Sequence, residues 1–155
     1  MVTALVTLSL FATWRVAAIR AWSLTVDLRW LILLHVTRFI GIYFLLQATR
    51  GAMPREWAVP AGTGDILIAS GAVLLLAIGW AKGGALLVWN ILGLIDIVCV
   101  VLLAMRVGLR NWAAIAFLRE LPLSLLPSFL VPLIITTHLL IFARLHRDRR
   151  NGGLI

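Results

Sequence analysis

Five polar residues lie within otherwise apolar stretches and have side chains able to do chemistry: His35, Arg38, Asn90, Asp96 and His138. An ionisable side chain at membrane depth costs several kcal/mol unless it is paired, so each is a functional candidate. His35 and Arg38 are three residues apart and share one face of a helix, which Gly41 continues. Asn90, Gly93 and Asp96 repeat that spacing and define a second polar, notched face. At the rise of an α-helix, His35, Asn90 and His138 fall in one layer, each roughly 8–10 Å from the same end of its span. Arg38 lies slightly deeper, within reach of Asp96, and an Arg38–Asp96 ion pair is the cheapest way to keep both charged in lipid. Such a pair serves most simply as a bolt that fixes helix register; the alternative is a transported-proton site.

These residues need helices to hold them, and the composition says what kind. Hydrophobic residues make up 63% of the 155 positions and charged residues 13%, and mean hydropathy is +1.07. A chain this apolar exceeds what one small aqueous core can bury, so lipid must be the solvent for much of it. About 20 apolar residues cross the hydrocarbon layer. Spans are expected at about 30–49, 61–81, 84–104 and 121–143, with 2–18 a fifth span or an in-plane helix because Arg15 interrupts it. The fold class is therefore an all-α membrane bundle of four to five spans over residues 1–155, with short interfacial helices near 19–29 and 105–120. The Arg50–Pro60 stretch is expected to be a loop, and Lys82-Gly83-Gly84 a tight hairpin.

The net charge of +8 comes from fourteen basic residues, thirteen of them Arg, against six acidic ones. They flank the apolar runs instead of forming an aromatic-interleaved patch, which argues for membrane topology and against a nucleic-acid partner. With five spans, Arg15, Arg20, Arg29, Lys82, Arg144, Arg147, Arg149 and Arg150 share one side, eight against the five of Arg50, Arg55, Arg106, Arg110 and Arg119. The excess predicts a cytoplasmic C-terminus. Trp14, Trp22, Trp30, Trp57, Trp80 and Trp112 fall near span ends, where indoles prefer to sit; Trp89 does not. Cys99 stands alone within an apolar run and reads as a buried small hydrophobe.

The remaining polar positions are secondary. Asp65 is expected in the first turn of its span, where a carboxylate suits the helix dipole. Beyond it, Asp65, Ala69, Ala72 and Gly79 form a small-residue packing seam. Pro127 and Pro132 free backbone carbonyls in the last span, with Ser124, Ser128, Thr136 and Thr137 available nearby. His35 and His138 at one depth raise a haem b site, although no CxxCH accompanies them; the simpler expectation is no cofactor, with the two rings bonded to Asn90, a freed carbonyl or each other. They would be metal ligands only in that haem case, since no Cys or acidic ligand sits beside them for zinc. No phosphate-binding loop or Ser/His/acid arrangement is present, so catalysis is not indicated.

Taken together, Arg38-x-x-Gly41, Pro60-Ala-Gly-x-Gly-Asp65, Trp89-Asn90-x-x-Gly93-x-x-Asp96 and Leu121-Pro122…Pro127-x-Phe129-x-Val131-Pro132…His138 resemble a group of small, uncharacterised bacterial membrane proteins. The resemblance covers about residues 20–145, and implies a multi-pass helical bundle of the bacterial inner membrane without supplying an activity. The Arg-then-Gly span followed by an acidic span is also similar to DoxX-like four-helix membrane proteins. Three function classes follow: a non-enzymatic accessory or scaffold protein, packing as a homo-oligomer or in a larger complex; a small transporter or channel using Arg38 and Asp96; and a haem- or quinone-linked redox subunit using His35 and His138.

Overall fold

The computed structural model describes residues 25–79 and 83–150. The expected first span at 2–18, the interfacial stretch before Thr25, Trp14, Trp22, Trp80 and Lys82 lie outside the described residues. Within them there are helices and turns and no strands. Four helical stretches are long and apolar enough to cross a membrane: Leu28–Thr49, Arg55–Ala77, Gly83–Arg110 and Leu126–Arg150.

The first stretch changes its winding halfway. Helix α1 (Leu28–Leu34) starts at Asp27, whose carboxylate accepts from the Arg29 N–H at 2.9 Å. The chain then tightens into a 3-10 helix over His35–Ile40 before α2 (Gly41–Thr49) resumes the α-helical pitch. In a 3-10 helix, side chains at i and i+3 eclipse. The tighter winding thus lines up His35, Arg38 and Gly41, all buried, on one edge.

The turn that follows is shorter than the sequence suggests. Gly51, at φ +71°, takes the left-handed conformation that reverses the chain after α2. Helix α3 (Arg55–Ala77) begins at Arg55, with Pro54 as its N-cap residue and Glu56 in its first turn. The expected loop over Arg50–Pro60 is thus confined to its first half, and the expected 61–81 span starts six residues early. Pro54 fixes the entry and Glu56 favours the positive end of the helix dipole. Pro60 sits inside the helix, where its missing N–H leaves the Glu56 carbonyl without its usual donor. Gly79, again at φ +71° and exposed, lies beyond the end of α3 and takes no part in the small-residue seam, which stops at Ala72.

Helix α4 (Gly83–Arg110) runs six residues past the expected end at 104. The surface segment is the shorter 3-10 helix Trp112–Arg119, capped by the Asn111 side chain accepting from the Ala113 N–H at 3.1 Å. A π-helical turn, Leu126–Leu130, then leads into α5 (Val131–Arg150). The last span accordingly begins near 126 instead of 121 and is helical past 143, to Arg150. The irregular entry follows from proline chemistry: Pro127 cannot donate to the Leu123 carbonyl, which accepts from the Leu126 N–H at 3.0 Å instead.

Among the described residues there are two apolar cores. One holds Phe44, Met53, Trp57, Val100, Ile115 and Leu126; the other holds Ile32, Ile68, Leu75, Leu86, Trp89 and Ile141. His35, Arg38, Asp65, Asn90 and His138 are all buried, and their positions along the helices place them as a polar band between the two. Trp30 and Trp112 face outward as expected of residues at span ends, but Trp57 is 3% exposed and packs against Phe44 and Phe117. Cys99 is exposed on the outer face of α4, not buried, because its neighbours Ile97 and Val100 occupy the inward side of the helix.

Candidate functional site

The 3-10 edge delivers Arg38 into the middle of the bundle, where its side chain is 1% exposed. Its guanidinium fork is satisfied in three directions. Nε donates to Asp65 Oδ1 of α3 at 2.7 Å, Nη2 donates to Asp96 Oδ2 of α4, and Nη1 donates to the Gly93 carbonyl at 3.3 Å. The expected Arg38–Asp96 pair is present, and Asp65 joins it as an equal partner. Asp65 therefore is not a first-turn cap at the interface. It lies ten residues beyond the start of α3, because that helix begins at Arg55, and its side chain is 7% exposed against 20% for Asp96. Charge-assisted bonds of this kind are roughly twice as strong as neutral ones, and a planar fork holds them in fixed directions.

Glycines let these helices come close enough. A Cβ on Gly41 would lie 2.5 Å from the Gly62 carbonyl oxygen, and one on Gly62 would lie 2.7 Å from that of Gly41, so α2 and α3 cross in near backbone contact. A Cβ on Gly64 would run into the Asp96 carboxylate, and one on Gly93 into the His138 ring. The notch expected on the Asn90–Gly93–Asp96 face is therefore filled from two sides.

Towards the other core, the two histidines form a second cluster. His138 and Asn90 bond reciprocally: Asn90 Nδ2 donates to the His138 carbonyl at 3.0 Å, and His138 Nδ1 donates to Asn90 Oδ1 at 2.8 Å. Thr137 Oγ1 donates to the Ile134 carbonyl at 2.8 Å, so the 3.2 Å contact with His35 Nε2 is one in which the imidazole donates. The rings of His35 and His138 are 4.2 Å apart between centroids. Trp89 closes the cluster edge-on to His35 at 5.0 Å and donates its indole N–H to the Ile68 carbonyl at 3.0 Å. A macrocycle held between the two imidazoles would need the space these rings already occupy. Both histidines have zero exposure, so the residues do not fit a bis-histidine haem. Among the described residues no three His, Cys, Asp or Glu side chains are grouped to hold a metal ion.

Ser124 and Ser128 stay apart from this band. Ser128 Oγ donates to the Ser124 carbonyl at 2.6 Å, and Thr136 Oγ1 likewise to the Pro132 carbonyl at 2.8 Å, so these hydroxyls serve the irregular backbone around the prolines. Arg38 and Asp65 also form part of the wall of a cavity of about 480 Å³ among the residues of the first core, with Phe44, Trp57 and Trp112 among its other walls. Nothing in the sequence pattern reveals this cavity, because its lining comes from α2, α3, α4, the surface segment and the start of the last span. Thr137, too, escapes sequence reading as a partner of His35: its spacing only announces a hydroxyl near prolines.

Among the described residues, four apolar helices long enough to cross a membrane surround a buried charge cluster, the architecture of a multi-pass helical membrane protein. The chain belongs to the family described as a domain of unknown function, DUF8737, whose model matches residues 1–146. No curated protein and no solved structure matches it.

Proposed function

We infer that the chain is a small membrane transporter or carrier that binds a lipophilic cation in the cavity beside Arg38 and Asp65. The observation that carries this reading is the meeting of that cavity with a charge cluster of negative formal sum. Arg38 contributes one positive charge against the two negative charges of Asp65 and Asp96. The walls are apolar and include the aromatic side chains of Phe44 and Trp57, a residue type that attracts cations through its ring quadrupole. A volume of about 480 Å³ lies within the range of small-molecule sites.

Tetraphenylphosphonium is a suitable probe. Proteoliposomes should bind it saturably and above protein-free vesicles, Asp65→Asn should weaken binding by roughly tenfold or more, and Met105→Trp, at the exposed rim, should block it without touching the ion pair. Binding indistinguishable from protein-free vesicles would overturn the reading. An accessory or scaffold role is the second reading, favoured by Arg38 being satisfied wholly within the chain. It predicts normal assembly and no probe binding.

The setting completes the proposal: a bacterial inner membrane with the C-terminus in the cytoplasm. Arg144, Arg147, Arg149 and Arg150 crowd the end of α5, which supports this orientation. Reporter fusions at the C-terminus should be active only as cytoplasmic reporters; a periplasmic signal would reverse the topology.

A further inference from the structure

The charge cluster around Arg38 does not sum to zero. One guanidinium stands against Asp65 and Asp96, and among the described residues no second cation is in ion-pair contact with either carboxylate. Each aspartate gives one oxygen to the guanidinium, Asp65 Oδ1 to Nε and Asp96 Oδ2 to Nη2. Among the described residues no donor is bonded to Asp65 Oδ2 or Asp96 Oδ1. Neither oxygen is sealed, for the fully buried side-chain atoms without a partner there are His35 Nδ1 and His138 Nε2 alone. The two side chains lie at different openings. Asp65 belongs to the cavity wall. Asp96, with its side chain 20% exposed, stands on α4 between Leu92 and Cys99, both exposed, and so borders the outer face.

The surroundings offer little else to hold a second negative charge. From the 3-10 helix the pair faces Arg38; from α2, the uncharged Gly41 against Asp65; from α3, the bare backbone of Gly64 against Asp96. From α5, His138 meets α4 at Gly93, three residues before Asp96, and is ion-paired to neither carboxylate. Arg38 opposes protonation of both carboxylates, but its single charge offsets only one of them. The remainder is a net negative charge in a low-dielectric interior, and one proton removes it. Two carboxylates held on one site ordinarily share a proton for this reason. A second proton would leave Arg38 as the uncompensated charge, so uptake stops at one.

We propose that Asp65 and Asp96 form a one-proton site bridged by Arg38: the pair takes a single proton from water onto an open carboxylate oxygen, and the cluster becomes neutral. One oxygen lone pair becomes an O–H bond; no other bond breaks. The site stands on the charge cluster and does not depend on the function proposed above. If a cation enters the cavity, it offsets the same charge and the proton leaves.

Carbon-13 NMR of aspartate-labelled protein in lipid vesicles tests this, with Asp27→Asn and Asp148→Asn removing the two aspartate signals from outside the cluster. Asparagine keeps the N-cap at position 27. Between about pH 9 and pH 5, above the value of about 3.9 at which an ordinary aspartate protonates, the two carboxyl signals should move with one midpoint and together report one proton per chain. Asp65→Asn and Asp96→Asn should each reduce the uptake from one proton to none, since the remaining carboxylate then has Arg38 to itself. Two carboxylates ionised throughout in the wild-type cluster, as a purely structural bridge requires, would overturn the proposal. So would two bound protons, or uptake surviving in either single variant. The titration of the wild-type cluster decides the matter even where a variant fails to fold.

Discussion

Arg38 and Asp65, twenty-seven positions apart, meet at 2.7 Å between Nε and Oδ1, with both side chains buried. Because Asp96 takes the other end of the same guanidinium, one arginine fastens the first, second and third described spans to one another. The fastening is directional. Three separate N–H vectors reach three acceptors, and no other side chain offers that fork.

Removing the fork should therefore be severe. Arg38→Met leaves two carboxylates facing each other without a cation, and the loss expected for breaking a buried pair is about 3–5 kcal/mol. Arg38→Lys should recover little of it, since an ammonium cannot reach all three acceptors from one position. Denaturant titration in detergent measures both; a stable Arg38→Met protein would refute the fastening role.

Exchange of the charges gives a finer test. With a simple pair, Arg38→Asp together with Asp96→Arg would restore what either reversal destroys. Here the double variant sets an aspartate at 38 against the unchanged Asp65, so recovery should be partial, and full only when Asp65→Asn is added. Complete recovery in the double variant would show that Asp65 contributes nothing.

Asn90 holds His138 through two bonds at 2.8 and 3.0 Å. Asn90→Leu strands the imidazole N–H in the interior, and a loss of about 1–3 kcal/mol is expected. His138→Leu in the same background should then cost less than it does alone, which a double-mutant cycle would read as coupling. Additive losses would dissolve the pair.

Two glycines should fail for different reasons. Gly62→Ala puts a methyl 2.7 Å from the Gly41 carbonyl, so the helices must part, costing about 1–3 kcal/mol and loosening the Arg38–Asp65 contact. Gly79→Ala meets nothing within 4 Å, and its cost comes only from a φ of +71°, about 1 kcal/mol. Melting curves separate them if only Gly62→Ala also weakens tetraphenylphosphonium binding; equal effects on binding would mean that the crossing does not position the cavity.

Much of this was open to sequence reading because lipid imposes a simple rule. Apolar runs long enough to span mark the helices, and the rare polar residues inside them stand out. His35, Arg38, Asn90, Asp96 and His138 were found that way, and counting residues along each helix placed them at matching depth. The boundaries were less legible. Pro60 resembles a loop residue, yet α3 has begun five residues earlier, and that offset alone disguised Asp65 as an end cap.

By itself, then, the sequence determined the all-α membrane class, the number of spans in residues 25–150 and the depth of the polar band, because hydropathy and helical rise act along a single chain. Tertiary structure decided which faces meet: Asp65 with Arg38, Thr137 with His35, and Phe44 with Trp57 beside a cavity. Those choices depend on helix rotation and close approach, set jointly by Gly41, Gly62, Gly64 and Gly93. Contact between helices is a property of pairs of surfaces, and no pattern along one strand of sequence contains it.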